Sequence, residues 1–471
     1  MFGIYAPDHD VARLAYFALF ALQHRGQESA GIATAPRGGN MMAIRDQGLV
    51  AQVFNEHTLR SLIGEMAIGH VRYSTTGSSQ WENAQPIVRD DRRTLALAHN
   101  GNLINAVELH SELRERGVAL QSTSDSEIIA ALLATHPAQR IEDAVADVLP
   151  KLRGAFSTVV MTDEEVIAFR DPHGLRPLAL GMIEDAAGGA SYCVASESCA
   201  FDLIGAQFLR EVQPGELVVL TEGGFRSRMI VEGERHAFCV FEYIYFARPD
   251  SKMAGTVLQA ARARMGEILW REAPAEADLV IPVPDSGNAA ARGLARAAGL
   301  PQDDGFIKNR YVARTFIQPG QELRRHGLRL KFNPLREVVA GKRLIVVDDS
   351  IVRGNTMPGI VQMLRDAGAA EIHVRISSPP IKHPCHYGID MSSREEMIAH
   401  GRTVEQVALQ IGADSLHYLS LDGVYEAVGV TRETHCDACF SGEYPLAGTE
   451  ESGGKHALEN GRALHLPLVK A

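Results

Sequence analysis

Two adjacent carboxylates, Asp348 and Asp349, are the residues of this chain most clearly placed to do chemistry. They follow four apolar residues, Leu344 to Val347, which predict a buried strand. Behind them come the hydroxyls and backbone N–H groups of residues 350–356, and then apolar residues at helical spacing. Such a loop and helix N-terminus hold a phosphate, which leaves the carboxylates for sugar hydroxyls or a metal ion. The alternative is an acidic strand end with an ordinary helix cap.

This stretch resembles the phosphoribosyl diphosphate (PRPP) loop of type I phosphoribosyltransferases. The resemblance implies that Asp348 and Asp349 contact the ribose hydroxyls and Mg²⁺. Magnesium suits such a site, because it prefers a few carboxylates together with phosphate and water oxygens. The 5-phosphate would be surrounded by the loop residues Ser350, Arg353, Gly354, Asn355 and Thr356.

Two further segments support a polyphosphate site. Ile281-Pro-Val-Pro-Asp-Ser-Gly follows a predicted strand and offers Ser286 for diphosphate or metal, unless it is only a proline-rich connector. Residues 308–319 are basic, aromatic and loop-like, as a mobile lid over a polyphosphate should be. We assign Lys308, Arg314 and the nearby Lys331 to this lid. A solvated basic face is the alternative.

Four polar segments in the first half carry a second chemistry, at residues 23–32, 69–77, 98–103 and 123–127. Taken singly each is weak. Asp125 is in a typical helix-cap sequence, Asn100-Gly101 suits a hairpin turn, and Arg72 suits a charge on a strand surface.

Together and in this order, the four segments resemble the glutamine amidotransferase domains of the N-terminal-nucleophile class. The resemblance implies that Arg72 binds the carboxylate of glutamine and Asp125 its α-amino group. It also implies that Asn100 and Gly101 supply the donors of an oxyanion hole. Donors aimed at developing charge contribute about 10²–10³ in rate each.

The same class requires a cysteine as residue 1 of the mature chain, because its own α-amino group helps to activate the thiol. The family opens Cys-Gly-(Ile/Val)-Phe-Gly-Ile, and Phe2-Gly3-Ile4 aligns with it. We therefore expect the nucleophile two residues before Met1, in a longer chain. The alternative is a truncated chain that has lost glutaminase activity. Cys193 and Cys199 cannot present a free α-amine and are expected to be core thiols.

The remaining cysteines form a metal signature. Cys436 and Cys439 make a Cys-x-x-Cys pair, and with Cys239 and Cys385 they give four thiolates for zinc or an iron–sulfur cluster. Spacing alone does not separate these two possibilities. From residue 2 to about 445, the order of motifs resembles the glutamine PRPP amidotransferases of the iron–sulfur type. That resemblance implies a [4Fe–4S] cluster on the four cysteines, with a structural role.

The resemblance implies a complete reaction in two domains. Glutamine is hydrolysed in the first, and ammonia passes internally to the second. There it displaces diphosphate from PRPP to give 5-phosphoribosylamine, the entry step of purine synthesis. Inhibition by purine nucleotides and a homotetramer are implied as well. Two alternatives stay open: an enzyme that uses ammonia only, and a non-catalytic PRPP or nucleotide sensor, although no helix-turn-helix or basic stripe for DNA is evident.

Composition sets the frame for these motifs. A chain of 471 residues is too long for one ordinary domain, and 45% hydrophobic with 22% charged residues is typical of a soluble globular protein. The net charge of −11 gives no electrostatic reason to expect a nucleic-acid partner. The apolar run Leu14–Leu22 is too short to cross a bilayer and lacks a following cleavage site, so it predicts a buried helix. No membrane partner and a cytoplasmic location are expected.

The elements that position the motifs divide the chain near residue 232. Before it, hairpin patterns alternate with helical ones, as at 158–169 and 217–230. After it, the short apolar strands at 277–282, 343–347 and 371–377 alternate with helices, as in a parallel sheet. We predict an α/β protein of two domains. Residues 1–231 form a four-layer αββα N-terminal-nucleophile domain, 232–445 a type I phosphoribosyltransferase domain, and 446–471 a polar, loosely held tail.

Overall fold

The structure is a computed structural model of the whole chain. It describes residues 1–74, 77–185, 188–233, 235–309, 328–391, 393–448 and 458–459. No helix within these ranges is long and apolar enough to cross a membrane.

Two stacked antiparallel sheets form the centre of the first domain. Its strands are, in chain order, β1 (Phe2–Tyr5), β2 (Ser29–Ala35), β3 (Met42–Gln47), β4 (Met66–Arg72), β5 (Ile87–Asp90), β6 (Thr94–Leu103), β7 (Gly154–Met161), β8 (Val166–Arg170), β9 (Ala179–Glu184), β10 (Ala190–Ala195), β11 (Gln207–Glu211), β12 (Glu216–Thr221) and β13 (Gly224–Met229). One sheet has the order β11-β9-β10-β1-β4-β2-β3 and the other β13-β12-β8-β7-β6-β5. The two predicted hairpins are confirmed as β7–β8 and β12–β13.

Helices cover the outer face of each sheet, which completes four layers. They are α1 (Val11–Ala21), α2 (Val50–Val53), α3 (Glu56–Ser61), α4 (Ala106–Glu115), α5 (Asp125–Ala134), α6 (Ile141–Val148) and α7 (Cys199–Ile204). One apolar cluster joins α1 and α7 to the first sheet, a second joins α4, α5 and α6 to the other, and a third fills the space between the sheets. The predicted αββα architecture is confirmed.

The expected burial of the apolar run Leu14–Leu22 holds for one face of α1 only. Ala15, Ala18 and Leu19 are fully buried, whereas Phe17 and Phe20 are 40% and 52% exposed. A helix on the outside of a sheet has one face toward solvent, so a continuous apolar run leaves some of its side chains uncovered.

A parallel sheet with the order β17-β20-β21-β22 forms the core of the second domain. The strands of this domain are β14 (Phe238–Cys239), β15 (Lys252–Met253), β16 (Thr256–Val257), β17 (Leu279–Pro282), β18 (Phe306–Lys308), β19 (Phe332–Pro334), β20 (Arg343–Asp348), β21 (Glu371–Ile376), β22 (Ser415–Tyr418) and β23 (His435–Cys436). The helices are α8 (Leu258–Glu272), α9 (Asn288–Ala298), α10 (Arg336–Val339), α11 (Met357–Asp366), α12 (Val404–Ile411), α13 (Leu421–Val428) and α14 (Ala438–Ser441).

Alternate residues of the central strands face opposite sides of this sheet. Val280 and Ile345 pack against one set of helices, and Ile281 and Val346 pack against the other. Both faces are therefore apolar, as expected for a parallel sheet with helices on both sides. Since both faces of the sheet are covered, the polar side chains that follow its strands lie at its carboxyl edge.

The chain after residue 430 returns to the start of the second domain. Strand β23 pairs in parallel with β14, which places Cys436 opposite Cys239. Further on, Leu458 lies in the segment expected to be a loosely held tail, but it is 5% exposed and packs with the helices of the first domain.

Candidate active sites

The first site is a cavity in the first domain where β4, β6 and the start of α5 meet. It brings together the four residues predicted for glutamine, Arg72, Asn100, Gly101 and Asp125. Sequence alone missed other residues of its wall, namely Met1, Arg25, His70, His99, Phe246 and Gly388. Arg25, His70 and His99 lie within the polar segments 23–32, 69–77 and 98–103, whereas Met1, Phe246 and Gly388 had no such local signal.

Arg72 is at the end of β4 and is only 3% exposed, so it is not a surface charge. Its Nη1 donates a hydrogen bond to the Ser78 carbonyl oxygen at 3.0 Å and lies 3.6 Å from Glu28 Oε2. Burial lowers the pKa of Arg72, but arginine stays protonated in proteins. The cavity therefore contains a fixed positive charge suited to a carboxylate ligand.

Asp125 is the first residue of α5, but it is not the helix cap. The cap is Ser124, whose hydroxyl oxygen accepts a hydrogen bond from the Ser126 N–H at 3.2 Å. The Asp125 carboxylate instead accepts from the Leu103 N–H at 2.9 Å, and it lies 3.8 Å from His99 Nδ1. Its position in the cavity wall suits an ammonium group.

Asn100 and Gly101 lie inside β6 and pair with β7, so the hairpin-turn interpretation is wrong. Within the described part of the chain, the buried Asn100 Nδ2 has no hydrogen-bond acceptor. Gly101 has φ of +155°, and a Cβ there would lie 1.9 Å from the Ala155 carbonyl oxygen. An unused amide donor in a cavity wall is what an oxyanion hole requires.

One histidine and two cysteines near this domain's core are unsuited to act as ionised groups. Burial holds the pKa of His70 well below its usual range, and its Nε2 lies 3.0 Å from the His99 carbonyl oxygen. Burial raises the pKa of Cys193, and it raises the pKa of Cys199 to about 12. Both cysteines pack in the apolar core, as expected for core thiols.

The second site lies at the carboxyl edge of the parallel sheet. Asp348 ends β20 and, like Asp349, is almost fully buried. Ser286 Oγ donates to Asp348 Oδ1 at 3.3 Å, and Ser350 Oγ donates to Asp349 Oδ1 at 2.5 Å. Burial, together with the charge of Asp349, raises the pKa of Asp348 well above its usual range. A buried carboxylate pair of this kind favours a bound cation.

The rest of the predicted phosphate loop leads into the N-terminus of α11. Arg353, Asn355 and Thr356 are exposed, and Gly354 has φ of +67°. The Arg353 side chain is turned toward acidic partners, since its Nε donates to Glu396 Oε2 at 2.9 Å. The loop therefore offers its backbone and hydroxyl groups at the positive end of a ten-residue helix.

The predicted lid is described only at its two ends. Lys308 and Lys331 flank it, on and next to the antiparallel pair of β18 and β19. The ammonium group of Lys308 forms an ion pair with Asp285, in the loop that carries Ser286. The Lys331 ammonium lies 4.9 Å from the Phe332 ring centre. Arg314 lies outside the described residues, so its role stays a prediction.

The third group consists of the four predicted cysteines. Cys239 and Cys436 are opposite each other in the β14–β23 pair, and Cys385 Sγ accepts from the Tyr387 N–H at 3.4 Å. Burial raises the pKa of all four thiols, and each of Cys436 and Cys439 is further affected by Cys239 and Cys385. The four thiols therefore converge, although no three metal-binding side chains in the described ranges are grouped for a single ion.

Buried ion pairs join the two domains between these sites. Glu242 of the second domain accepts from Arg25 Nη2 at 2.8 Å and lies 2.8 Å from Arg176 Nη2, both in the first domain. Nearby, the Asn102 side chain donates to the His386 carbonyl oxygen at 3.0 Å. A Cβ at Gly388 would lie 3.1 Å from Gly101. The second domain thus closes one side of the first cavity.

Comparisons with known proteins agree with this division. Residues 70–202 match the glutamine amidotransferase domain family and residues 255–378 the phosphoribosyl transferase domain family. The amidophosphoribosyltransferase of Synechococcus elongatus is 50% identical over 96% of this chain and 92% of its own, and that of Bacillus subtilis is 47% identical over 94% and 93%. A solved structure, the B. subtilis glutamine PRPP amidotransferase complexed with ADP and GMP, has 45% identity and a TM-score of 0.89 over 97% of this chain and 99% of its own.

Proposed function

The chain belongs to the amidophosphoribosyltransferase family, and from this premise we propose how its residues serve the reaction. The enzyme acts in de novo purine biosynthesis and forms 5-phosphoribosylamine, glutamate and diphosphate from glutamine, PRPP and water. The sensor alternative loses its ground, because full-length relatives at about 50% identity are named as enzymes.

In the first cavity, glutamine binds with its carboxylate on Arg72 and its α-amino group on Asp125. Asn100 Nδ2 and the backbone at Gly101 then face the carbonyl oxygen of the side-chain amide of glutamine, where negative charge develops during hydrolysis. The unpartnered Asn100 amide carries this assignment, since a buried donor without an acceptor is otherwise costly. Burial keeps the pKa of His70 well below its usual range, so His70 is neutral in this cavity.

In the second site, PRPP binds along the carboxyl edge of the sheet. Asp348 and Asp349 accept from the ribose hydroxyls, and the 5-phosphate is held by residues 350–356 at the N-terminus of α11. Lys308 and Lys331, with Arg314 between them in sequence, neutralise diphosphate as it leaves carbon 1. The buried carboxylate pair is the observation that carries this assignment.

Magnesium fits the donors at this edge. Asp348, Asp349 and Ser286 provide oxygen atoms, which Mg²⁺ prefers, and burial beside the charge of Asp349 raises the pKa of Asp348, a repulsion that a bound cation relieves. When bound, Mg²⁺ supplies positive charge to the diphosphate of PRPP. Equilibrium dialysis with Mg²⁺ and PRPP tests the site, and unchanged binding in Asp348→Asn would count against it.

A [4Fe–4S] cluster fits the four cysteines. Cys436 and Cys439 are buried and Cys239 and Cys385 are half-buried, and the four converge from three separate parts of the chain. Cys239, Cys385, Cys436 and Cys439 would hold the cluster and so fasten the end of the second domain to its start.

Iron and sulfide analysis of anaerobically purified protein tests the cluster. Four irons and four sulfides per chain are expected for one [4Fe–4S] cluster, with a broad absorbance near roughly 400 nm. One equivalent of zinc without that absorbance would overturn this part of the proposal.

We also propose that purine nucleotides bind and inhibit, that the protein is a homotetramer, and that it works in the cytoplasm. The B. subtilis relative was solved with ADP and GMP, which supports nucleotide binding at this fold. Light scattering tests the homotetramer, and inhibition of turnover by GMP and ADP tests the binding of purine nucleotides.

The overall reaction is tested by following phosphoribosylamine and diphosphate from PRPP with ammonium ion as nitrogen donor. Turnover that requires PRPP and is lost in Asp348→Asn is expected. PRPP binding without any turnover would instead revive the sensor alternative.

A further inference from the structure

Arg176 is among the most completely buried side chains of the molecule, with 1% exposure. It lies between β8 and β9, and its carbonyl oxygen accepts hydrogen bonds from Ser157 Oγ at 3.0 Å and Arg170 Nε at 2.7 Å. These bonds fix the backbone, so the long side chain is held in the interior, at the border between the domains.

The guanidinium of Arg176 is poorly satisfied there. Nη2 lies 2.8 Å from Glu242 Oε1, and the guanidinium carbon lies 5.1 Å from the centre of the Phe246 ring. Nevertheless, none of its three nitrogens makes a well-directed hydrogen bond to any residue that the structure describes. Buried arginine donors are normally paired, so this guanidinium keeps hydrogen-bonding capacity that the described residues leave unused.

The cysteine group lies beside it. Leu175, the preceding residue, accepts a hydrogen bond from the Cys239 N–H at 3.2 Å, and it shares an apolar cluster with Cys436 and Cys385. Burial raises the pKa of Cys239 and Cys385, and the positive charge of Arg176 acts in the opposite sense at both thiols. Arg176 thus places a positive charge near Cys239 and Cys385, which come from two separate parts of the chain.

The charge of the proposed cluster explains why a cation belongs here. Four thiolates carry −4 and an oxidised [4Fe–4S] core carries +2, which leaves a net −2 in a buried site. Hydrogen bonds to the sulfurs and nearby positive charge both stabilise such a cluster and raise its reduction potential.

We propose that Arg176 is a positioning residue for the cluster, donating N–H groups to its thiolate or sulfide sulfurs while Glu242 holds the other edge of the guanidinium. This inference rests on the proposed cluster. Because Glu242 also binds Arg25 in the wall of the glutamine cavity, the same carboxylate joins the cluster's surroundings to the first active site.

The test compares Arg176→Met, Arg176→Lys and the control Arg271→Met, whose side chain is 60% exposed on α8. Each full-length protein is purified anaerobically and assayed for iron and sulfide. The reduction potential is measured by dye-mediated titration, and the lifetime of the cluster absorbance is measured in air. We expect a more negative potential in Arg176→Met and cluster loss at least about tenfold faster, as for other outer-shell partners.

Arg176→Lys retains the charge but loses the forked donors, so a potential near that of the wild type with a shorter lifetime in air is expected. If the wild type contains no iron and sulfide, the proposed cluster itself fails. If the wild type holds the cluster and Arg176→Met matches Arg271→Met in potential and lifetime, the role of Arg176 is refuted. If Arg176→Met does not fold, Arg176→Lys decides, and wild-type lifetime in that variant would refute the hydrogen bonds.

Discussion

Glu242→Gln is expected to destabilise both domains, because Glu242 is the carboxylate between two buried arginines. The substitution keeps the size of the side chain and removes its charge. Glu242 has no exposed surface, and Arg25 and Arg176 are 3% and 1% exposed. Both arginines belong to the first domain, so the loss falls on the interface between the domains.

The structure gives the magnitude. Arg25 donates to Glu242 at 2.8 and 3.1 Å, and hydrogen bonds to charged groups contribute about 1.5–3 kcal/mol each. A glutamine oxygen retains part of this, but Arg176 is left without a counter-charge. Removal of one partner from a buried ion pair costs about 3–5 kcal/mol. We expect the free energy of unfolding to fall by that amount.

Urea titration followed by tryptophan fluorescence measures this, since the chain's two tryptophans, Trp81 and Trp270, report on one domain each. The matched control is Glu426→Gln, which breaks an ion pair with Arg271 in which both side chains are about 60% exposed. Such a pair contributes less than about 1 kcal/mol. If Glu242→Gln lies within 1 kcal/mol of this control, the buried network does not hold the domains together.

Further predictions concern the two sites. Addition of Cys-Gly before Met1 is expected to raise glutamine-dependent turnover above that of residues 1–471. Ammonia-dependent turnover should stay unchanged. Equal glutamine-dependent rates in the two proteins would contradict the position inferred for the nucleophile. In that extended protein, Gly101→Ala should lower glutamine-dependent turnover about 10²–10³-fold, whereas Gly117→Ala, at a φ of +76° with open space around it, should not. Arg72→Ala should abolish glutamine binding in calorimetry while PRPP binding persists. Asp348→Asn should raise the melting temperature of metal-free protein, because burial and the charge of Asp349 raise the folded-state pKa of Asp348. The carboxyl therefore costs stability once the pH exceeds its ordinary value of about 3.9, and this cost grows until the pH reaches the raised folded-state pKa and is constant above it. An equal gain at pH 4 and pH 7 would refute that reasoning.

Local sequence patterns predicted individual strands and helices well where the formation of the element depends mainly on its own residues. The predicted strand at 343–347 is observed as Arg343–Asp348, and the predicted strand at 371–377 as Glu371–Ile376. Hairpins were also predictable, because their partners are close in sequence. The order of the motifs predicted which two domains follow each other in the chain. The periodicity of the apolar residues alone does not give this information.

What the sequence did not show are contacts between distant segments. Arg25, Glu242 and Arg176 are ordinary charged residues in the sequence, and only folding places them together in the interior. Gly388 likewise reaches Gly101 from the other domain. Long-range burial of charge depends on tertiary packing, to which helical and strand periodicity are blind.

The parallel pairing of β14 with β23 also determines when, during synthesis of the chain, the second domain can complete its fold. Cys239 and its partner Cys436 are separated by 197 residues, and ribosomes add about 5–20 residues per second. Roughly 10–40 s therefore pass during which the nascent chain presents Cys239 without its partner strand. The first domain is complete before that interval begins, whereas the second can close only when the last strand has been made. Termination of translation shortly before residue 435 would thus yield a folded first domain attached to an open, thiol-bearing second one.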